Sequence, residues 1–184
     1  MLDIERLDLE GVMLVTPSRH GDERGFFSEV YNRRAFEEAG IPDVFVQDNH
    51  SLSGPQGTVR GLHFQIEPNP IAKLVRVVSG AVYDVVVDLR TDSPTYGHHV
   101  GVELSADNWA QIYVPRGFAH GFCTMKPNTE VAYKVTGYWA PEVDKGVAWD
   151  DPDLAIAWPV AAGEATLSDK DLSQPSFADL PGYF

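Results

Sequence analysis

Short apolar runs broken by Gly, Pro, Asn and Ser dominate this chain, and few of them recur with helical spacing. The pattern predicts strands at Val12–Thr16, Phe26–Tyr31, Val44–His50, Val59–Gln65, His99–Leu104, Gln111–Val114, Ala119–Met125 and Thr129–Trp139. Between Lys73 and Leu89 two β-branched runs flank Ser79-Gly80, a pair whose turn chemistry predicts a hairpin. One stretch reads as a helix: Asn32 can cap it, Arg33/Glu37 and Arg34/Glu38 are spaced four apart, and Gly40 before Ile41-Pro42 stops it. Many short strands with so little helix predict an all-β antiparallel sandwich or barrel. From Asp150 onward the strand pattern fades and Pro152, Pro159, Pro175 and Pro181 appear. Trp149, Trp158 and Phe177 are costly to leave in water, so this segment is expected to pack back onto the barrel, making 1–184 one domain.

Strand parity sorts the polar residues onto faces. Val131, Tyr133, Val135, Gly137 and Trp139 share a side; so do Lys73, Val75 and Val77, and so do Asp84, Val86 and Asp88. His63 lies with Val59, Gly61 and Gln65. A small barrel normally fills its interior with apolar side chains. Polar groups alternating with valines therefore point, as a set, to a lumen that holds a polar ligand.

Composition narrows the choice of ligand. With 43% apolar and 22% charged residues the chain reads as an ordinary soluble globule. A net charge of −13 argues against nucleic acid and anionic membranes as partners, and an anionic ligand would need a local cluster of Lys and Arg. The single cysteine, Cys123, excludes an internal disulfide and suits a reducing compartment. Neither a signal-like N-terminus nor an apolar run of membrane-spanning length is present, and a cytoplasmic location is expected.

Pro115-Arg116-Gly117-Phe118-Ala119-His120 has the Pro-x-Gly-x-x-His form of the second motif of cupin barrels. In the first motif a metal site would need His-x-His and a Glu, but this chain reads His63-Phe64-Gln65 and then Lys73. A lysine repels a divalent cation, so no metal is expected. What remains suits proton transfer without a cofactor. A histidine can serve as base near neutrality, and a lysine or second histidine facing a ketone oxygen stabilises an enolate by about 3–4 kcal/mol. A tyrosine on the opposite wall can protonate the other face. His63, Lys73, His120 and Tyr133 supply these parts.

These residues sit in longer motifs: Gly21-Asp22-Glu23-Arg24-Gly25-Phe26-Phe27, Phe45-Val46-Gln47-Asp48-Asn49-His50-Ser51, Arg60-Gly61-Leu62-His63-Phe64-Gln65, Gly117-Phe118-Ala119-His120-Gly121-Phe122 and Leu167-Ser168-Asp169-Lys170-Asp171. In this order and across nearly the whole chain they resemble the dTDP-4-dehydrorhamnose 3,5-epimerase family. The resemblance implies a cupin-type antiparallel jelly roll with a few short helices, acting on a dTDP-4-keto-6-deoxy sugar as a homodimer that exchanges strands. It implies His63 as base for both carbons flanking the ketone, Tyr133 as acid, Asp171 as the group orienting His63, and Lys73 at the enolate oxygen. It further places His120 against the sugar, where Asp84 is a partner for it by its inward parity, and it puts Arg24 and Arg60 on the diphosphate and Phe27, Glu29, Gln47, Asp48 and Asn49 toward the nucleotide. Trp139 stands where a Tyr is usual and would stack on the base; Asp144 stands where Glu is usual, and Lys170 beside Asp171 reaches toward the nucleotide. Strict alternation puts Arg60 opposite His63, so either Gly61 marks a bulge or Arg60 serves a second subunit's site. The rival readings are a mono-epimerase of a related sugar, a metal-dependent cupin oxygenase or isomerase, and a non-catalytic nucleotide-sugar binding module.

Overall fold

The fold is known from a computed structural model, which describes residues 2–184. In chain order the strands are β1 (Leu2–Arg6), β2 (Met13–Pro17), β3 (His20–Asp22), β4 (Gly25–Phe27), β5 (Gln47–Ser53), β6 (Val59–Gln65), β7 (Lys73–Ser79), β8 (Ala81–Asp88), β9 (His99–Ser105), β10 (Gln111–Val114), β11 (Phe118–Thr124), β12 (Thr129–Val135) and β13 (Asp144–Gly146). Two short helices, α1 (Arg33–Glu38) and α2 (Asp169–Leu172), flank them. One sheet runs β1-β2-β10-β7-β12-β5 and the other β13-β6-β11-β8-β9, while β3 and β4 form a separate ribbon.

The two sheets face each other across an apolar core. Val75, Val77, Ile112, Val114 and Val131 come from the first sheet; Val82, Val86, Leu104, Phe118 and Phe122 come from the second. Strand β8 is buried nearly throughout, because its other parity, Val85 and Val87, needs cover as well. The segment after residue 150 provides it: Leu154, Ile156, Trp158, Phe177, Leu180, Tyr183 and Phe184 pack there with Leu62 and Phe64. Removing such side chains from water stabilises the fold by about 1.5–3 kcal/mol each.

The predicted hairpin at Ser79-Gly80 is not one. β7 pairs with β10 and β12, whereas β8 pairs with β9 and β11, so the chain crosses between sheets at this corner. Gly80 adopts φ +83°, the geometry a turn residue supplies in either case. The helix has the expected start, with Asn32 Oδ1 accepting from the N–H groups of Arg34 and Ala35. Its end is a Schellman motif: Gly40 N–H donates to Glu37, Ile41 N–H donates to Phe36, and the Phe36 and Ile41 side chains are buried together.

Three strand expectations move. β5 begins at Gln47, leaving Val44 and Val46 exposed, β4 ends at Phe27 rather than continuing to Tyr31, and β12 ends at Val135 rather than running to Trp139. Strand β6 shows why alternation fails near Arg60. In its pairing with β11, His63 lies opposite His120 but Arg60 lies opposite Phe122, so β6 carries one extra residue. Gly61 sits there at φ +129°, where a Cβ would lie 2.5 Å from the Gly121 Cα. Only glycine fits this bulge, and the bulge turns Arg60 onto the face that His63 occupies.

Candidate active site

A cleft opens between the two sheets at the β6 and β12 end, divided into two connected hollows. One, of about 300 Å³, is lined by Gln47, Asn49, His63, Lys73, Tyr133, Trp139 and Asp144 among others. Its neighbour, of about 280 Å³, is lined by Ser51, Arg60, His63, Lys73, His120, Tyr133, Ser168 and Asp171 among others. His63, Lys73 and Tyr133 belong to both and stand at the junction. His63 and His120 project from the five-stranded sheet, Lys73 and Tyr133 from the six-stranded one.

His63 Nε2 lies 2.6 Å from Asp171 Oδ1. The contact misses linear hydrogen-bond geometry, and neither atom has another partner among the described residues, so the two are committed to each other. Asp171 is delivered by α2, whose N-cap is Ser168. The Ser168 hydroxyl accepts from Asp171 N–H at 3.2 Å and donates to Asp171 Oδ2 at 2.7 Å. Burial opposes the Asp171 charge, but contacts with His63, Ser168 and the Gly61 N–H outweigh it and hold the carboxyl below its usual value. With Nε2 turned to the carboxylate, Nδ1 is the ring nitrogen left to take up a proton.

A second pair lies one strand away. His120 Nε2 is 2.9 Å from both oxygens of Asp84, and the carboxylate is fully buried. Burial pushes His120 below the ordinary histidine pKa against the pull of Asp84, with Lys73 and His63 adding to the depression. Lys73 Nζ donates to the His63 carbonyl at 3.2 Å. Burial lowers its pKa to about 8, opposed by Asp84 and Asp144. Burial also raises the Tyr133 phenol above its normal value, which keeps the O–H proton in place near neutrality.

Arg60 stands at the cleft edge, its Nε donating to Ser53 Oγ and its Nη2 to the Leu52 carbonyl. Gln47 and Asn49 line the first hollow and bond each other. Trp139 is 63% exposed at the mouth. Its indole donates to Asp144 Oδ2 at 2.8 Å, and Lys170 Nζ donates to the same oxygen at 2.6 Å. Burial opposes the Asp144 charge, yet Lys170 and Trp139 hold its pKa below normal.

Four expected site residues lie elsewhere. Asp48 follows the opposite parity of β5, pairs with Lys134 on the outer face, and does not reach the cleft. Arg24, Phe27 and Glu29 sit on or beside the β3–β4 ribbon, exposed and away from His63; Arg24 pairs with Asp22 there. Sequence reasoning left out Ser51, Ser168 and Phe122, which line the second hollow. Ser168 carried a signal, since Ser-x-x-Asp is a capping pattern. Among the described residues, no group of three or more His, Cys, Asp or Glu is arranged to hold a metal ion. No helix among them is long and apolar enough to cross a membrane.

A family profile described as dTDP-4-dehydrorhamnose 3,5-epimerase matches residues 6–179. A relative so described from Sinorhizobium fredii is 51% identical over 181 residues, covering 98% of this chain and 92% of its own length. The crystal structure of the Bacillus anthracis dTDP-4-dehydrorhamnose 3,5-epimerase, with TDP and PPi bound, matches with a TM-score of 0.93 at 49% identity, covering 96% of this chain and 99% of that one. The epimerase from Legionella pneumophila, solved in complex with dTDP-4-keto-L-rhamnose, matches with a TM-score of 0.93 at 41% identity, covering 98% and 95%. The cupin-type jelly roll expected from the sequence is the fold observed.

Proposed function

Because the chain belongs to the dTDP-4-dehydrorhamnose 3,5-epimerase family, we propose that it converts dTDP-4-dehydro-6-deoxy-D-glucose to dTDP-4-dehydro-L-rhamnose by inverting both carbons beside the ketone. The reaction is an isomerisation. The observation that carries this reading is the placement of His63 and Tyr133 on different sheets, facing a shared cleft that Lys73 also lines.

Inversion requires a proton to leave one face of a carbon and another to arrive on the opposite face. His63 takes the proton from the carbon flanking the ketone, and Asp171 stabilises the imidazolium that forms. The C–H electron pair moves into an enolate whose oxygen faces Lys73, largely protonated at neutral pH, while His120 lines the same wall with its Nε2 held against Asp84. Tyr133 then delivers its proton from the far wall. The steps repeat at the second carbon once both groups have re-equilibrated with solvent. No cofactor takes part in this scheme.

Arg60, Lys73 and Lys170 supply the local positive charge that a diphosphate needs in a chain of net charge −13. Trp139 stacks on the base, worth about 1–3 kcal/mol, with Gln47, Asn49 and Asp144 alongside. The β3–β4 ribbon fits a homodimer in which Arg24, Phe27 and Glu29 complete a second copy's site. Arg19 holds the ribbon in a fixed pose, its guanidinium 5.5 Å from the Phe26 ring and 5.2 Å from Trp109, while Phe27 stands 71% exposed. A cytoplasmic setting agrees with one free, buried cysteine.

Incubating the enzyme and its ketosugar in deuterated water tests the proposal. Deuterium at both flanking carbons is the expected result. Label at one carbon identifies a mono-epimerase instead, and an absence of label overturns proton abstraction altogether.

A further inference from the structure

The β3–β4 ribbon pairs three residues with three and joins neither large sheet. A hairpin this small does not hold a pose in water by itself. A set of contacts ties it to the turn between β9 and β10. Trp109 in that turn donates its indole N–H to Ser28 Oγ at 3.1 Å, and the Ser28 hydroxyl donates to the Ser18 carbonyl at 2.9 Å. One serine thus joins both legs of the ribbon to one ring. The same ring meets Phe26 edge-on, with centroids 4.9 Å apart and planes at 83°. Arg19 closes the group, its guanidinium against both rings and its Nη2 donating to the Asp107 carbonyl at 3.5 Å.

The turn holds the indole in place. Trp109 adopts φ +62°, a conformation uncommon for a bulky residue. Asn108 Oδ1 accepts from the N–H groups of Ser105 and Ala110, and Trp109 N–H donates to the Ser105 carbonyl. Contacts on both sides of Trp109 therefore enforce its backbone, and what they secure is the aim of its side chain. With Phe26 turned to Trp109, alternation presents Phe27 on the other side, exposed like Arg24 and Glu29.

We infer that Trp109 is a positioning residue that acts across the dimer: from the β9–β10 turn of one copy it fixes the ribbon whose Arg24, Phe27 and Glu29 complete the ligand site of the other. The inference rests on the reading that the ribbon serves a second copy. Trp109 lines neither hollow of its own cleft. Without the clamp, ligand binding must order a loose ribbon, which raises KM and leaves the proton transfers alone.

Steady-state kinetics on the full-length protein with the dTDP-ketosugar test this. For Trp109→Ala, KM is expected to rise roughly tenfold with kcat within about twofold of wild type. Ser28→Ala removes only the acceptor of the indole and should raise KM about two- to threefold, which keeps the test open if the larger change disturbs folding. Hybrid dimers of two differently tagged chains then give the direction of action. A Trp109→Ala chain paired with a His63→Ala chain has one working cleft, served by an intact ribbon, and its KM should match wild type. Both changes on one chain, paired with wild type, bring the loosened ribbon to the working cleft, and KM should rise roughly tenfold. Unchanged KM in both single variants, a loss confined to kcat, or a raised KM in the first hybrid instead of the second overturns the inference. Arg24→Ala in the same two hybrids is the separate control. If Arg24 acts within its own chain, the second-copy reading fails and takes the inference with it; if Arg24 acts across and Trp109 does not, the inference alone falls.

Discussion

Two histidine–carboxylate pairs line the cleft from neighbouring strands, and they differ in what surrounds them. His120 and Asp84 sit on β11 and β8, inside the sheet, and both are buried. His63 stands on β6 next to the cleft, and its carboxylate arrives from α2, outside both sheets. The buried pair is set by strand register: Phe122 lies opposite Asp84 and His120 opposite Val86, so both polar side chains share a parity. The other depends on a bulge, a four-residue helix and its cap. The same two functional groups therefore serve different ends. A sealed imidazole kept neutral is a rigid donor, while a half-open one with a carboxylate behind it can gain and lose protons.

Substitutions can break this contrast. His63→Ala should lower kcat by about 10²–10⁴-fold and abolish solvent exchange while the protein stays folded, measured by deuterium incorporation beside circular dichroism. Asp84→Ala should chiefly weaken the fold, by about 1–3 kcal/mol in denaturant titration, because it strands a buried ring nitrogen of His120. Asp171→Ala should do the reverse, costing turnover more than stability.

Two milder tests sharpen the comparison. Lys73 lies against both pairs with its pKa lowered to about 8, so activity that uses its charge should decline as pH rises past that value, by about tenfold per unit once the proton is lost. Stability should move the other way. Between about pH 8 and the value near 10.4 of an unfolded lysine, the native chain sheds a proton that the unfolded chain keeps, so unfolding becomes harder. Parallel pH–rate and pH–denaturation profiles should cross in that window. The smallest effect is expected for Ser168→Ala, about 1 kcal/mol of lost capping in melting experiments, with a modest drop in kcat as Asp171 loosens.

Sequence periodicity alone located the strands around His63 and His120 well, but carried the strand of Tyr133 four residues past its end at Val135. Val59–Gln65 and Gln111–Val114 match their observed bounds, and parity placed Lys73 and Tyr133 toward the interior. It failed where the deciding fact is nonlocal. Ser79-Gly80 has hairpin chemistry whether the next strand returns beside the first or crosses to another sheet. The resemblance groups Asp48 with Gln47 and Asn49, although alternation sends it outward to Lys134. Val44 and Val46 resemble strand residues yet remain exposed. The cleft itself was legible through resemblance more than through spacing, since nothing in the order of residues says that position 171 returns to position 63. Arg24, Phe27 and Glu29 lie apart from the cleft of the chain that carries them, a placement no periodicity within one chain reveals.

The distance between positions 63 and 171 along the chain also bears on how the protein comes into being. A ribosome adds about 5–20 residues each second, so the imidazole is made several seconds before the acid meant to stand behind it. Until α2 is synthesised and docked, the nascent barrel holds a histidine without its counter-charge. Chemical competence thus waits on a helix made long after the histidine it serves.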